Sequence, residues 1–275
     1  MAKVIAIANQ KGGVGKTTTT INLGASLALA ECKVLVIDLD PQGNASVGLG
    51  LNKENYEESN IYHVLIGQKS LSETVYQTEL DDLHICPSDN NLVGAEIELV
   101  NEMAREYRLK KAIEKIDHLY DFILIDCPPS LGLLTLNSLC AASSFLVPLQ
   151  TEYFAMEGLG QLLNTAELVK EAINPALEME GVLLTMFDGR NNLSKEVRDD
   201  IRSHFEKKVF DTIIPRNIKL SECPSFGRPV VLYDIGSKGS QAYLDLAREI
   251  LERNQKKTIL LNNNNHQESL QREEL

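Results

Sequence analysis

Eight residues near the start of the chain, Lys11-Gly12-Gly13-Val14-Gly15-Lys16-Thr17-Thr18, restrict the possible folds more than any other feature. They follow an apolar run, Val4 to Ala8, that reads as a strand, and they open a segment of helix length, Thr17 to Ala30. Glycines in such a loop let successive backbone N–H groups turn toward one anion, and the helix start adds roughly half a positive charge beside it. Gly12, Gly13, Val14, Gly15 and Thr18 are therefore expected to cradle phosphates, with Lys16 reaching the outer ones. Thr17 would offer its hydroxyl to Mg²⁺, a hard cation that keeps most of its waters and takes few protein ligands. A glycine-rich turn with a surface lysine explains the letters less well, because it does not require the placement between strand and helix.

The rest of the chain fits the same architecture. Short runs rich in Val, Ile and Leu recur at Val34 to Asp38, Leu83 to Cys86, Phe122 to Asp126, Phe145 to Leu149, Gly181 to Met186 and Thr212 to Ile214. They are nearly continuous in apolar character, the pattern of strands covered on both faces in a parallel sheet. Helical patterns lie between them, at Asn91 to Asp117, Leu131 to Ala142, Glu157 to Ala172, Ser194 to Lys208 and Ser240 to Asn254. This alternation predicts a doubly wound α/β fold, a mainly parallel sheet flanked by helices, as in P-loop nucleotide hydrolases. With no repeat and no proline-rich linker, residues 1–254 are expected to form one domain. Residues 255–275, which include Asn262 to Asn265, are expected to be a disordered polar tail.

Two strands end in carboxylates where ligands of such sheets bind. Val34 to Ile37 leads into Asp38-Leu39-Asp40-Pro41-Gln42-Gly43-Asn44, and Phe122 to Ile125 leads into Asp126-Cys127-Pro128-Pro129-Ser130. A carboxylate in the position of Asp126 suits a water of the Mg²⁺ shell, and the prolines fix the turn after it. An Asp-capped turn is the plainer reading of Asp38 and Asp40. Five cysteines, widely spaced and without a metal-ligand pattern, point to reduced thiols in a cytoplasm.

The string KGGVGKTT resembles the deviant Walker A motif of the ParA/MinD superfamily of ATPases. Further segments, TEYFAMEGL within Gln150 to Gly160 and TIIPRNIKLSECPSFGRPV within Thr212 to Pro229, resemble partition ATPases of the ParA/Soj type. The resemblance covers residues 1 to about 254. It implies that Lys11, the first lysine of the loop, crosses a dimer interface to the partner's phosphates. It further implies that Asp40 orients the attacking water and that Asp38 supports the metal or the switch. Base recognition would fall to Pro215 to Asn217 and the strand before Asp188. No NKxD motif for guanine is present, so ATP is the expected nucleotide, with Mg²⁺. Expected partners are a second copy of the chain, nonspecific double-stranded DNA and a ParB-type protein that triggers hydrolysis, on the nucleoid of a cytoplasm.

A net charge of −12 speaks against nucleic-acid binding by the whole surface. Between Met186 and Ser240, however, there are 10 Lys and Arg against 8 Asp and Glu. The DNA candidates are Arg190, Lys195, Arg198, Arg202, Arg216, Lys219, Arg228 and Lys238, of which Arg190 and Lys219 best match the family's DNA-binding surface. Each alone reads as a solvated surface charge. Rival readings are a MinD-like membrane-surface ATPase that places the division site, and a P-loop synthetase. The first needs a terminal amphipathic helix, and Lys256, Lys257 and Ile259 to Leu261 offer no sustained one, so membrane binding is not expected.

Overall fold

The computed structural model describes the backbone of residues 1–152 and 155–273, with side chains described for these except 155, 157 and 256–273. In chain order the strands are β1 Lys3–Ile7, β2 Val34–Asp38, β3 Tyr76–Gln77, β4 Leu83–Cys86, β5 Phe122–Asp126, β6 Ser144–Gln150 and β7 Glu178–Thr185. The helices are α1 Lys16–Leu29, α2 Asn44–Gly48, α3 Ile61–Leu65, α4 Leu92–Glu98, α5 Arg108–Ile113, α6 Leu133–Ala141, α7 Ala155–Ala172, α8 Asn192–Phe205, α9 Ile218–Glu222, α10 Val230–Tyr233 and α11 Lys238–Glu273. The strands form one sheet in the order β3-β4-β2-β5-β1-β6-β7, parallel throughout except where β3 meets β4.

The continuous apolar runs are explained by helices on both faces. Alternate side chains of each central strand enter different cores. Leu35, Ile37, Ile123 and Ile125 pack toward α3 to α8, while Ile5, Ile7, Val34, Val36 and Leu124 pack toward α1 and α11. Helix α1 lies close against the sheet at Gly24, where an added Cβ would sit 3.2 Å from Val36 and 3.3 Å from Leu83.

Two expected elements take a different form. Thr212 to Ile214 forms no ladder: isolated bridges flank it, Val182 with Val209 and Phe187 with Pro215, and within it Ile214 donates its N–H to the carbonyl of Leu184 on β7 and accepts from the N–H of Phe187. The N–H groups of Asp211 and Thr212 donate instead to the Glu249 carboxylate on α11, so they are unavailable to a ladder. The single helix expected over Asn91 to Asp117 is divided into α4, short 3₁₀ turns and α5. At the break Ala104 adopts φ 53°. The side chain of Asn137, on α6, accepts from the N–H of Leu109 and donates to the carbonyl of Arg105. A tertiary contact thus takes the place of bonds within one helix.

The expected tail falls almost entirely on residues whose side chains are outside the described ones; of 255–275, only Gln255 is within them. Among the described residues no helix is long and apolar enough to cross a membrane. Leu246 of α11 is fully buried in the same core as Leu23 and Leu27 of α1. Leu246→Ala is therefore expected to destabilise the protein by about 2–5 kcal/mol, read from urea unfolding.

Candidate active site

Parallel register assembles the site. β5 lies between β1 and β2, and its last residue, Asp126, pairs in register with Ile7 on one side and Asp38 on the other. The two carboxylates are thereby set side by side at the carboxyl edge, next to the loop that leaves β1. That loop needs residues with left-handed backbone at two places, Gly13 with φ 73° and Gly15 with φ 90°, where a side chain would be strained. Asn9 shapes its start, donating to the carbonyl of Pro148 at 2.8 Å and accepting from the N–H of Lys11 at 3.0 Å.

Beyond the loop opens a cavity of about 370 Å³, lined by Gly12, Gly13, Gly15, Lys16, Thr17, Thr18, Asp40, Gln42, Asn44, Pro129 and Met186. Lys16 is buried, and its Nζ donates to the carbonyl of Lys11 at 3.2 Å. Burial lowers its pKa, opposed by the charges of Asp126, Cys127 and Asp40. Val14 is also buried, and its carbonyl accepts from the Thr185 hydroxyl.

Asp38 and Asp126 are fully buried. Burial raises the pKa of both, and the charge of Asp38 raises Asp126 further. Hydrogen bonds hold Asp38 against this: its Oδ2 accepts from the N–H and the hydroxyl of Ser46 at 2.9 and 2.7 Å, and its Oδ1 from the N–H of Asp40. Asp126 Oδ1 accepts from Thr20 at 3.0 Å, but its Oδ2 is buried without a hydrogen-bond partner. An orphaned carboxylate oxygen beside Thr17 is a fit for a hard cation or for its water. Among the described residues no group of three His, Cys, Asp or Glu side chains forms a metal cage. A cation held here must share phosphate oxygens and water, as Mg²⁺ readily does.

A second cavity, about 130 Å³, adjoins the first through Gly15, Thr18 and Met186 and is lined further by Pro215, Arg216, Asn217 and Tyr243. The expected base residues Pro215 and Asn217 thus line the second cavity, and the expected phosphate residues Gly12, Gly13, Lys16 and Thr17 line the first. Lys11 takes no part in either lining. Its Nζ pairs with Glu152, after β6, at 2.8 Å, with both side chains partly exposed.

The expected DNA cations are partly gathered. Arg216 donates its N–H to the carbonyl of Phe187, and the Arg198 guanidinium lies 5.7 Å from the Phe187 ring centroid. Arg190 grips Asp188 through two nitrogens, and with Arg216 nearby it holds that carboxyl down at about 2. Lys195 and Arg202 extend the group along α8. Lys219 pairs with Glu222 and lies 5.4 Å from the Tyr233 ring centroid, while Lys238 opens α11. Arg228 is drawn to Glu79 instead. In the segment Gln150 to Gly160, Tyr153 and Phe154 lie outside the described residues.

A family model described as an AAA domain matches residues 2–179. The chain is 54% identical over 258 residues to the chromosome partitioning protein ParA of Myxococcus xanthus, covering 94% of this chain and 91% of that protein. The chain belongs to the ParA family. Identity to another ParA-family protein, the sporulation initiation inhibitor protein Soj of Bacillus subtilis, is 52%, covering 91% of this chain and 98% of Soj. The ParA fold also superposes on a solved cobyrinic acid a,c-diamide synthase from Mycobacterium smegmatis with bound ATP analog and magnesium. The TM-score is 0.80 at 38% identity, covering 91% of this chain and 95% of that one.

Several residues of this ParA site carry no mark in the sequence. Ser46, Asn9 and Glu152 are ordinary polar residues there, singled out only by what the fold sets beside them. Thr20 is hidden in a run of four threonines; three residues after Thr17, it lies on the same face of α1, and its hydroxyl reaches Asp126.

The raised carboxylates make stability depend on pH with a definite sign. A carboxyl group with a higher pKa folded than unfolded binds more protons when folded, so stability falls as pH rises from its ordinary value of 3.8 toward the raised one. Asp126→Asn is expected to raise the melting temperature of the nucleotide-free protein at neutral pH and flatten that dependence. It should also abolish the added stabilisation by Mg²⁺ with ATP. Thermal unfolding from pH 4 to pH 8, with and without Mg²⁺ and ATP, checks both.

Proposed function

We propose that this ParA-family ATPase partitions DNA: it pairs with a second copy of itself when ATP is bound, then holds double-stranded DNA without sequence preference. A ParB-type partner stimulates hydrolysis and so releases the DNA. The observation that carries the reading is the position of Lys11. It is the additional lysine of the loop, yet its side chain lies outside its own phosphate cavity, paired with Glu152 at a partly exposed site. A cation placed there is suited to a neighbour's phosphates, where two facing triphosphates need positive charge between them.

Within one subunit the roles follow from the contacts. The loop N–H groups and Lys16 hold the β and γ phosphates, and Thr17 with Asp126 would hold Mg²⁺ or its water. Held there, such an ion would supply charge neutralisation for the transferred phosphoryl group. Asp40, which lines the phosphate cavity and is held by the N–H of Gln42 at 3.0 Å, positions the attacking water. The adjoining cavity at Pro215 and Asn217 takes the base. Arg190, Lys195, Arg198, Arg202, Arg216 and Lys219 supply phosphate contacts to DNA, and pairing two subunits doubles them. Carboxylates now bound to Arg190, Arg198 and Lys219 must give way to DNA phosphates. Work on the nucleoid, within the cytoplasm, fits these roles.

Asp40→Ala is expected to bind ATP, accumulate as a dimer and retain random-sequence duplex DNA, with turnover lost. The measurement is DNA binding with ATP, with ADP and without nucleotide, beside phosphate release. DNA binding in no state, together with ATP-dependent pelleting on liposomes, would move the reading to a membrane-surface ATPase. Replacing both Arg190 and Lys219 by Ala should weaken DNA binding and lower the slope of log affinity against log salt by about four for the dimer, about one per cation removed. Basal hydrolysis should be unchanged. An unaltered salt slope would remove these two residues from the DNA surface.

A further inference from the structure

Helix α4 is apolar on two sides. Leu92, Ala95 and Leu99 are buried in the core, as amphipathic packing requires. Val93 and Ile97, with Val100 on the 3₁₀ turn Leu99–Asn101 that continues α4, are nevertheless 52%, 72% and 54% exposed. Single exposed apolar residues are common on any surface, but these recur at helical spacing and share one side of the segment. Soluble proteins keep such a stripe where something covers it.

Charge indicates what covers it. From Ser70 to Ala104 the chain has eight Asp and Glu and no Lys or Arg, against 39 acidic and 27 basic residues overall. Asp89 precedes α4, and Glu96, Glu98 and Glu102 interleave with the exposed apolar positions. At the head of the helix a cavity of about 320 Å³ is lined by Glu54, Glu57 and Asp89 with Lys53, Asn90 and Asn91. An apolar stripe bordered by carboxylates repels anionic lipid and DNA, and complements a helix with one apolar face and Lys or Arg at its edges.

We propose that the exposed side of α4, with the acidic cavity at its head, is a docking surface for a basic amphipathic helix of a partner protein. Val93, Ile97 and Val100 receive its apolar face, and Glu54, Glu57 and Asp89 receive its cations. The surface is joined to the nucleotide edge. Glu96 abuts the turn after β5, since a Cβ on Gly132 would lie 2.6 Å from its Oε1. A helix docked here bears on the segment that follows Asp126. The surface is defined by α4, the turn that continues it and the acidic cavity at its head, and does not depend on the DNA-partition reading.

The test uses the full-length protein without nucleotide and a fluorescent synthetic peptide of Leu and Lys, about 18 residues long, whose leucines follow helical spacing. A peptide of identical composition in scrambled order serves as control. The amphipathic peptide is expected to bind with saturation and the scrambled one much more weakly. Ile97→Glu and Val93→Glu, both at exposed positions that leave the core intact, should each weaken binding roughly tenfold or more. Leu168→Glu, at an exposed apolar position on α7, should leave it unchanged. Equal binding of both peptides, no binding of either, or no effect of Ile97→Glu overturns the proposal. So does loss of ATP-dependent self-association in Ile97→Glu with peptide binding intact, which would assign the stripe to a second copy of the chain.

Discussion

Two carboxylates buried side by side at the edge of a parallel sheet set the terms for everything around them. Asp38 and Asp126 face each other in register across β2 and β5, with no solvent to separate their charges. Such a pair is unfavourable unless each member is protonated, hydrogen-bonded or matched by a cation. Ser46 and the Asp40 N–H answer for Asp38, and Thr20 for half of Asp126. Lys16 is itself lowered by burial, so it cannot balance both. The site is incomplete without a cation, which is why phosphate and metal are coupled here from the start.

Charge is segregated along the chain as well as within the site. The acidic excess is concentrated between Ser70 and Ala104, while the basic residues lie late, around α8 and the segment after Ile214. One long acidic stretch and one locally cationic region let a protein of net charge −12 present different surfaces to differently charged partners. The overall charge describes neither.

Much of the fold was legible because buried parallel strands are hydrophobic nearly end to end, and six of the seven expected strands occupy the sheet. The seventh, Thr212 to Ile214, has the same composition but loses its ladder to Glu249, 37 residues beyond Thr212. The broken helix after Asn91 shows the same limit, since Asn137 acts from another element. The turn of the glycine-rich loop from strand to helix was legible because its glycines have a local reason, left-handed backbone at Gly13 and Gly15. Ser46 and Glu152 were not, because their partners come from strand order and not from neighbours in sequence.

Helix α1 is tied on three sides: Thr20 to Asp126 on the sheet, Thr19 to Tyr243 on α11, and Asn22 to the N–H of Val230 at the start of α10. A roll of the helix would break all three at once. The phosphate loop that continues into it is therefore a fixed abutment, and it cannot register whether the terminal phosphate is present by moving. That difference has to be expressed by the segments that leave β2 and β5, which carry Asp40 and Pro129 into the same cavity.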